Sequence, residues 1–283
     1  MTAVSSKERR RRKPARIVQP IIAILLVVAL LGVPFWLVVV TAGKNQAQAF
    51  NPSLSLPTHW QLFQNFATVL DQGRMIPAFL GSLLIMVPSV AGVLLLGAMA
   101  SWILGRRRSK PIAFVYALAI SGIVLPPAVV TIVLLLRQLG LAGTAGGMIG
   151  VYMGMYLSTV IFFVTGFVRT IPVELEEAAR VDGASPFTIF FRIILPLLGP
   201  TLATATILIC LYIWNDVFYA LFVIGGRIDT LPLNLFQVAS SGLYLQNWNL
   251  IFAYIILMSV PLLITFAVMQ RKIISGITSG GVK

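Results

Sequence analysis

The sequence predicts an all-α membrane protein with six transmembrane helices and both termini in the cytoplasm. Three observations carry this. Of 283 residues, 58% are apolar and only 10% charged, and the mean hydropathy is +0.95. A soluble domain sits nearer about 45–50% apolar and about 25% charged. Six apolar stretches stand out, each long enough to cross the bilayer as a helix. Lysine and arginine fall mostly on one side of the resulting topology. Composition therefore excludes an ordinary soluble enzyme and a disordered chain. Cys210 is the single cysteine, which excludes an internal disulfide framework and fits an inert buried residue.

The elements follow in order. Lys7, Arg9, Arg10, Arg11, Arg12, Lys13 and Arg16 make residues 1–19 a basic cytoplasmic tail. In a soluble protein a net charge of +13 would suggest nucleic acid, but no basic stripe interleaved with aromatics follows. The charge instead abuts the first apolar run, 20–41, and reads as a retention signal. Ala47-Gln48-Ala49 resembles a signal-cleavage triplet, yet the run before it is long for a cleavable signal. An uncleaved first span is expected, with its external loop reaching residue 76.

Residues 77–269 form a core with spans at 77–104, 112–136, 148–168, 197–220 and 250–269, and 270–283 are a C-terminal tail. None of the spans alternates as a membrane barrel strand would. With the N-terminus inside, seventeen lysines and arginines face the cytoplasm and four (Lys44, Arg74, Arg137 and Arg227) face out.

Pro34, Pro88, Pro126, Pro127 and Pro261 punctuate the spans, each removing a backbone donor. The adjacent Pro126 and Pro127 predict a bent or interrupted third helix, which serves either shape or a hinge beside a pathway. In the fourth span Gly146, Gly150, Gly154 and Ser158 recur every four residues and share one face. Such a seam lets two helices approach closely in lipid; a neighbour within the chain is the favoured reading, and a neighbour in another chain is the alternative.

The cytoplasmic loop 169–196 carries the most information. Pro172 suits a first helical position, and Glu174, Glu176 and Glu177 suit a helix N-terminus. Glu176 and Arg180 are spaced as an i,i+4 pair. Gly183 fits a left-handed C-cap, and Ser185-Pro186 restart a helix as N-cap and first residue. Phe187, Phe190, Phe191 and Ile194 then follow at i, i+3, i+4 and i+7, the spacing of one apolar stripe. A helical hairpin so built docks either on a partner or on its own membrane helices.

Glu177-Ala178-Ala179, three residues, Gly183, nine residues, Ile193, one residue and Leu195-Pro196 form an ungapped pattern. It resembles the EAA loop of binding-protein-dependent ABC importer permeases. Trp214-Asn215-Asp216, Thr230-Leu231-Pro232 followed by Trp248, and the tail from Gln270-Arg271 to Lys283 resemble carbohydrate permeases of the maltose-transporter second-subunit type. The resemblance covers residues 77–283; Gly81-Ser82-Leu83, where many relatives have Asn-Ser-Leu, departs from it. It implies the type I ABC importer permease fold in the cell membrane. It also implies a second homologous permease, a dimer of ATPase subunits that binds ATP and Mg, an extracytoplasmic solute-binding protein and a carbohydrate cargo. ATPase coupling would then rest on Glu177, Ala178, Ala179, Asp182, Gly183, Phe187, Phe190, Phe191, Ile193, Leu195 and Pro196.

The chain itself carries no phosphate-loop motif, no metal-ligand spacing and no nucleophile–histidine pairing, so no catalytic residue, metal or cofactor is expected in it. His59, alone in the first external loop, is expected to be solvated. Asp216 lies near an intramembrane position, where a charge costs about 2.5–3.5 kcal/mol on insertion scales. With Asn215 it either makes a structural hydrogen bond or lines a translocation path, for which Pro126 and Pro127 are the other candidates. A secondary transporter without an ATPase would need ion-coupling acids and an internal repeat, and neither is evident. A membrane enzyme lacks a catalytic constellation. An ABC permease for a non-sugar solute is the nearer alternative.

Overall fold

The computed structural model describes residues 13–125, 127–240, 244 and 246–280. Pro126, most of the basic N-terminal tail and Lys283 lie outside the described residues. Among these residues every regular element is helical. In chain order they are α1 (Gln19–Ala42), a single turn Gln46–Ala49, α2 (Leu62–Gln72), α3 (Met75–Arg106), α4 (Lys110–Ser121) and α5 (Val129–Gln138). There follow α6 (Ala145–Val168), α7 (Glu174–Val181), α8 (Pro186–Leu197) and α9 (Gly199–Trp214). The chain closes with α10 (Phe218–Val223), α11 (Leu231–Ser240) and α12 (Trp248–Gly280).

Among the described residues four helices are long and apolar enough to cross a membrane: α1, α3, α6 and the Trp248–Val268 part of α12. The predicted span 112–136 is interrupted, as α4 and α5 separated by residues 122–128. The predicted span 197–220 is shorter than expected. It ends at Trp214, breaks at residues 215–217, and is joined to α8 through a bend of 74°. Gly199 and Pro200 at this bend supply a flexible backbone and a missing donor, the usual causes of a sharp kink.

Prolines act in a second way that sequence spacing did not disclose. A π-turn, Val28–Gly32, lies inside α1, where the Val33 N–H donates to the Val28 carbonyl and Pro34 follows at once. Another, Phe190–Ile194, lies inside α8, where the Leu195 N–H donates to the Phe190 carbonyl and Pro196 follows. A proline ring clashes with the carbonyl four residues back. The preceding turn widens to avoid it, which turns the following side chains out of α-helical register.

The chain forms two compact units. In the first (residues 1–71 with 239–257), the end of α1 is capped by Asn65. Its amide donates to the carbonyls of Ala42 and Lys44 at 2.8 and 2.9 Å, and its oxygen accepts from Asn249 at 3.1 Å. These bonds satisfy carbonyls that a helix end would otherwise leave open. Lys44 is buried, and its Nζ donates to the Ser53 carbonyl, the Ser53 hydroxyl and the Ser55 hydroxyl. Burial holds this ammonium below the usual lysine range. His59 is exposed, as expected.

The second unit (residues 72–238 with 258–283) is organised on the pairing of α3 with α6. Glycines on α3 make the close approach possible. A β-carbon at Gly92 would meet Met153, at Gly97 Val160, and at Gly105 Val168, all within 2.5–2.8 Å. The Ser101 hydroxyl adds a bond to the Ile161 carbonyl at 3.4 Å. The Gly146, Gly150 and Gly154 seam, expected to pack within the chain, instead lines an apolar cavity of about 510 Å³. Nothing lies within 4 Å of a β-carbon built at Gly150 or Gly154. Only the end of the seam is closed, where Ser158 packs against Gly122. α3 meets α6 at Met153, Val160 and Val168, and not at Gly150 or Gly154.

Gly81 and Ser82 also find a physical reason here. The Asp229 carbonyl rests directly on the Cα of Gly81, where any β-carbon would overlap it. The buried Ser82 hydroxyl accepts the Leu231 N–H at 2.8 Å, fastening the start of α11 to α3.

Candidate functional site

The loop between α6 and α8 folds as the local rules require, with one shift. Pro172 precedes α7 instead of opening it; Val173 is the N-cap and Glu174 the first helical residue. At the other end Gly183 takes φ +78°. Its N–H donates to the Arg180 carbonyl at 3.0 Å, and the Ala184 N–H donates to the Ala179 carbonyl at 2.9 Å. These two bonds form a Schellman cap, which needs a left-handed residue at this point. The Ser185 hydroxyl accepts the Thr188 N–H at 3.2 Å with Pro186 opening α8.

The hairpin has two faces. On the inner face Glu176 is only 1% exposed. Its Oε1 accepts from Arg106 Nε at 2.6 Å and from the Trp102 indole at 3.1 Å, both at the end of α3. The predicted Arg180 partner sits farther off, at 3.5 Å from Oε2. Phe190 is buried against Trp102, their ring centroids 5.8 Å apart, and Ile189 and Ile194 are buried beside it. On the outer face Glu177, Ala178, Asp182, Gly183 and Pro196 are exposed, with Val181 at 88% and Phe187 at 68%. Phe191 is exposed, and Ala179, Ile193 and Leu195 are half-buried. The expected single aromatic stripe is thus divided. Phe190 and Ile194 fasten the hairpin inward, while Phe187 and Phe191 point out; each pair is spaced i,i+4 and so shares one edge of the helix.

Sequence spacing missed Trp102, Arg106 and Val181. On sequence spacing the Arg-rich end of α3 signals only topology, whereas the buried Glu176 on α7 needs a cationic partner there. Val181 falls four residues after Glu177 and shares its face.

A second cluster lies where α9 breaks. Trp214 is buried, donates its indole N–H to the Met258 carbonyl at 3.0 Å and meets Phe79 edge-on. Asp216 accepts three bonds: the Tyr152 hydroxyl at 2.8 Å, the Tyr219 N–H at 3.2 Å and the Ala220 N–H at 3.1 Å. Its carboxylate thereby caps α10 and ties it to α6. Asn215 is exposed and bonds back to the Leu211 carbonyl at 2.8 Å. Beside it Tyr152, Tyr156 and Tyr212 form a ladder of stacked rings, with centroids 6.1 and 5.7 Å apart. Pro127 accepts a bond from the Tyr219 hydroxyl at 3.4 Å, and Pro126 lies outside the described residues. Among the described residues no group of His, Cys, Asp and Glu is arranged to hold a metal ion.

Residues 93–278 match the family described as binding-protein-dependent transport system inner membrane component. The chain is 31% identical over 258 residues to the melibiose/raffinose/stachyose import permease protein MelC of Bacillus subtilis, covering 89% of this chain and 91% of that one. It is 33% identical over 264 residues to the probable starch degradation products transport system permease protein AmyC of Thermoanaerobacterium thermosulfurigenes, covering 91% and 94%. Its fold is similar to a chain of a bacterial ABC transporter involved in the import of alginate. The TM-score is 0.77 at 20% identity, covering 95% of this chain and 99% of that one.

Proposed function

This chain belongs to the binding-protein-dependent transport inner membrane component family, and we propose that it is a permease subunit of an ATP-driven carbohydrate importer. Its family is one of multi-pass membrane transporters and not of enzymes. The relatives named for melibiose, raffinose, stachyose and starch products support a saccharide cargo. Six spans with cytoplasmic termini, a location in the plasma membrane, a partner ATPase dimer binding ATP and Mg, a solute-binding protein and a second permease complete the proposal.

The observation that carries the reading is the two-faced hairpin. Its inner face is bonded into the chain's own core through Glu176, Phe190 and Ile194. Its outer face offers Glu177, Ala178, Val181 and Phe187 to a partner. A force applied by an ATPase at the outer face would reach α3 through the Arg106–Glu176 bond and α6 through the α3–α6 packing. Nucleotide binding supplies the differential free energy, and the packed bundle supplies the two states. The open seam of Gly146, Gly150 and Gly154 suits a helix of the second permease. The tyrosine ladder with Asn215 suits a sugar, whose ring presents an apolar face and a polar rim.

Transport in vesicles with Glu177→Lys and with Gly183→Pro tests the coupling role. The expected result is loss of uptake and of ATPase recovery, with the chain still in the membrane. Retention of uptake and ATPase assembly by both variants would overturn it.

A further inference from the structure

We propose a binding site for an anionic phospholipid headgroup between the ends of α3, α4 and α6. A cavity of about 340 Å³ is lined there by Arg107, Arg108 and Arg169, with Tyr116, Leu104 and Ile112 among its other walls. Arg107 and Arg108 follow the last residue of α3, and Arg169 follows the last residue of α6. Two long spans thus end beside the cavity, which places it at the level where hydrocarbon gives way to headgroups.

Three features give it anion chemistry. Among the described residues no carboxylate pairs with Arg107, Arg108 or Arg169; the ion pairs are made by Arg74, Arg106 and Arg180. The Arg169 guanidinium lies over the Tyr116 ring, 5.1 Å from its centroid, which fixes its plane at the cavity wall. The N-terminus of α4 opens beside it with Pro111 in its first turn and no side-chain cap from Ser109, so its first N–H groups point outward with the positive end of the helix dipole. Three cations with a fork geometry and an uncapped helix start suit a phosphate.

A lipid is favoured over a free phosphate by what continues from the cavity. Phe114, Val115 and Leu118 on α4 are exposed and form an apolar track along which acyl chains can lie. The side is also right: these arginines belong to the majority that the charge bias assigns to the cytoplasm, where basic pockets between membrane helices receive acidic headgroups. The site rests on the membrane-spanning reading and is independent of the cargo.

The test uses the full chain, purified and placed in nanodiscs of phosphatidylcholine with or without phosphatidylglycerol. Native mass spectrometry counts retained lipid, and thermal unfolding is followed in parallel with inorganic phosphate as the soluble probe. Retention of phosphatidylglycerol with a thermal upshift, and no upshift from inorganic phosphate, is the expected result. Each of Arg107→Gln, Arg108→Gln and Arg169→Gln should weaken retention about fivefold, while Arg137→Gln on the opposite side leaves it unchanged. Arg169→Lys, which preserves charge and folding but not the fork, should lie between wild type and Arg169→Gln. Equal retention by wild type and the three glutamine variants, or an equal upshift from inorganic phosphate, would overturn the proposal. The assay needs neither sugar nor ATPase, so its failure is separate from any failure of the transport reading.

Discussion

Arg106 and Glu176, 70 residues apart in sequence, meet at 2.6 Å between Nε and Oε1, with the carboxylate almost wholly enclosed. This bond joins the end of a membrane helix to the hairpin beyond it. Glu176→Gln should lower thermal stability and uptake together, because removing one partner of a buried pair leaves the other charge uncompensated, at about 3–5 kcal/mol. The double variant Arg106→Met/Glu176→Met should recover part of the stability and none of the coupling. Differential scanning fluorimetry and vesicle uptake separate the two effects.

Gly183 has open space around it but holds φ +78°. The strain of a side chain there is conformational and not steric. Gly183→Ala should therefore cost about 1–2 kcal/mol, and Gly183→Asn less, since asparagine tolerates the left-handed region. Unfolding midpoints of the two variants check the order.

Asp216→Ala removes the acceptor of the Tyr152 hydroxyl and of two backbone N–H groups at once. Each buried donor left unpaired costs about 1–3 kcal/mol. A large fall in stability is expected, and Tyr152→Phe should cost less because one donor disappears with its bond. Comparing the melting temperatures of the two variants tests the structural role of this acid.

Bulky residues should distinguish the two glycine faces. Gly97→Leu forces α3 from α6 at Val160 and should prevent folding of the chain alone. Gly154→Leu meets open space and should leave the chain folded while impairing its recovery with a second permease. Tagged co-purification together with size-exclusion profiles reads both outcomes.

Lys44 gives a pH dependence. Its folded value lies below its unfolded one, so the unfolded chain binds more protons between the two. Stability contributed by this site should rise as pH climbs through the folded value and level off above about 10.4. Lys44→Met should flatten that rise relative to wild type in melting curves taken across alkaline pH.

How far the sequence could be read depends on the range of each interaction. Spans 20–41, 77–104, 148–168 and 250–269 were legible because lipid imposes one requirement, an unbroken apolar run of sufficient length, on a crossing helix. The caps at Gly183 and Ser185 were legible because their bonds close within five residues. The interruption near Pro127 was foreseen from local backbone chemistry, whereas the break at Asn215 was not, since the bond that Asp216 accepts there comes from Tyr152, 64 residues away.

Sequence by itself therefore determined a helical membrane protein and the hairpin with its spaced motif. Tertiary structure alone decided which side of that hairpin is bonded inward, and it made Glu176 and not Glu177 the fastening acid. It also turned the α6 glycine seam away from α3 and assembled the tyrosine ladder. Periodicity assigns residues to a face, but only the packing of remote helices decides what that face meets.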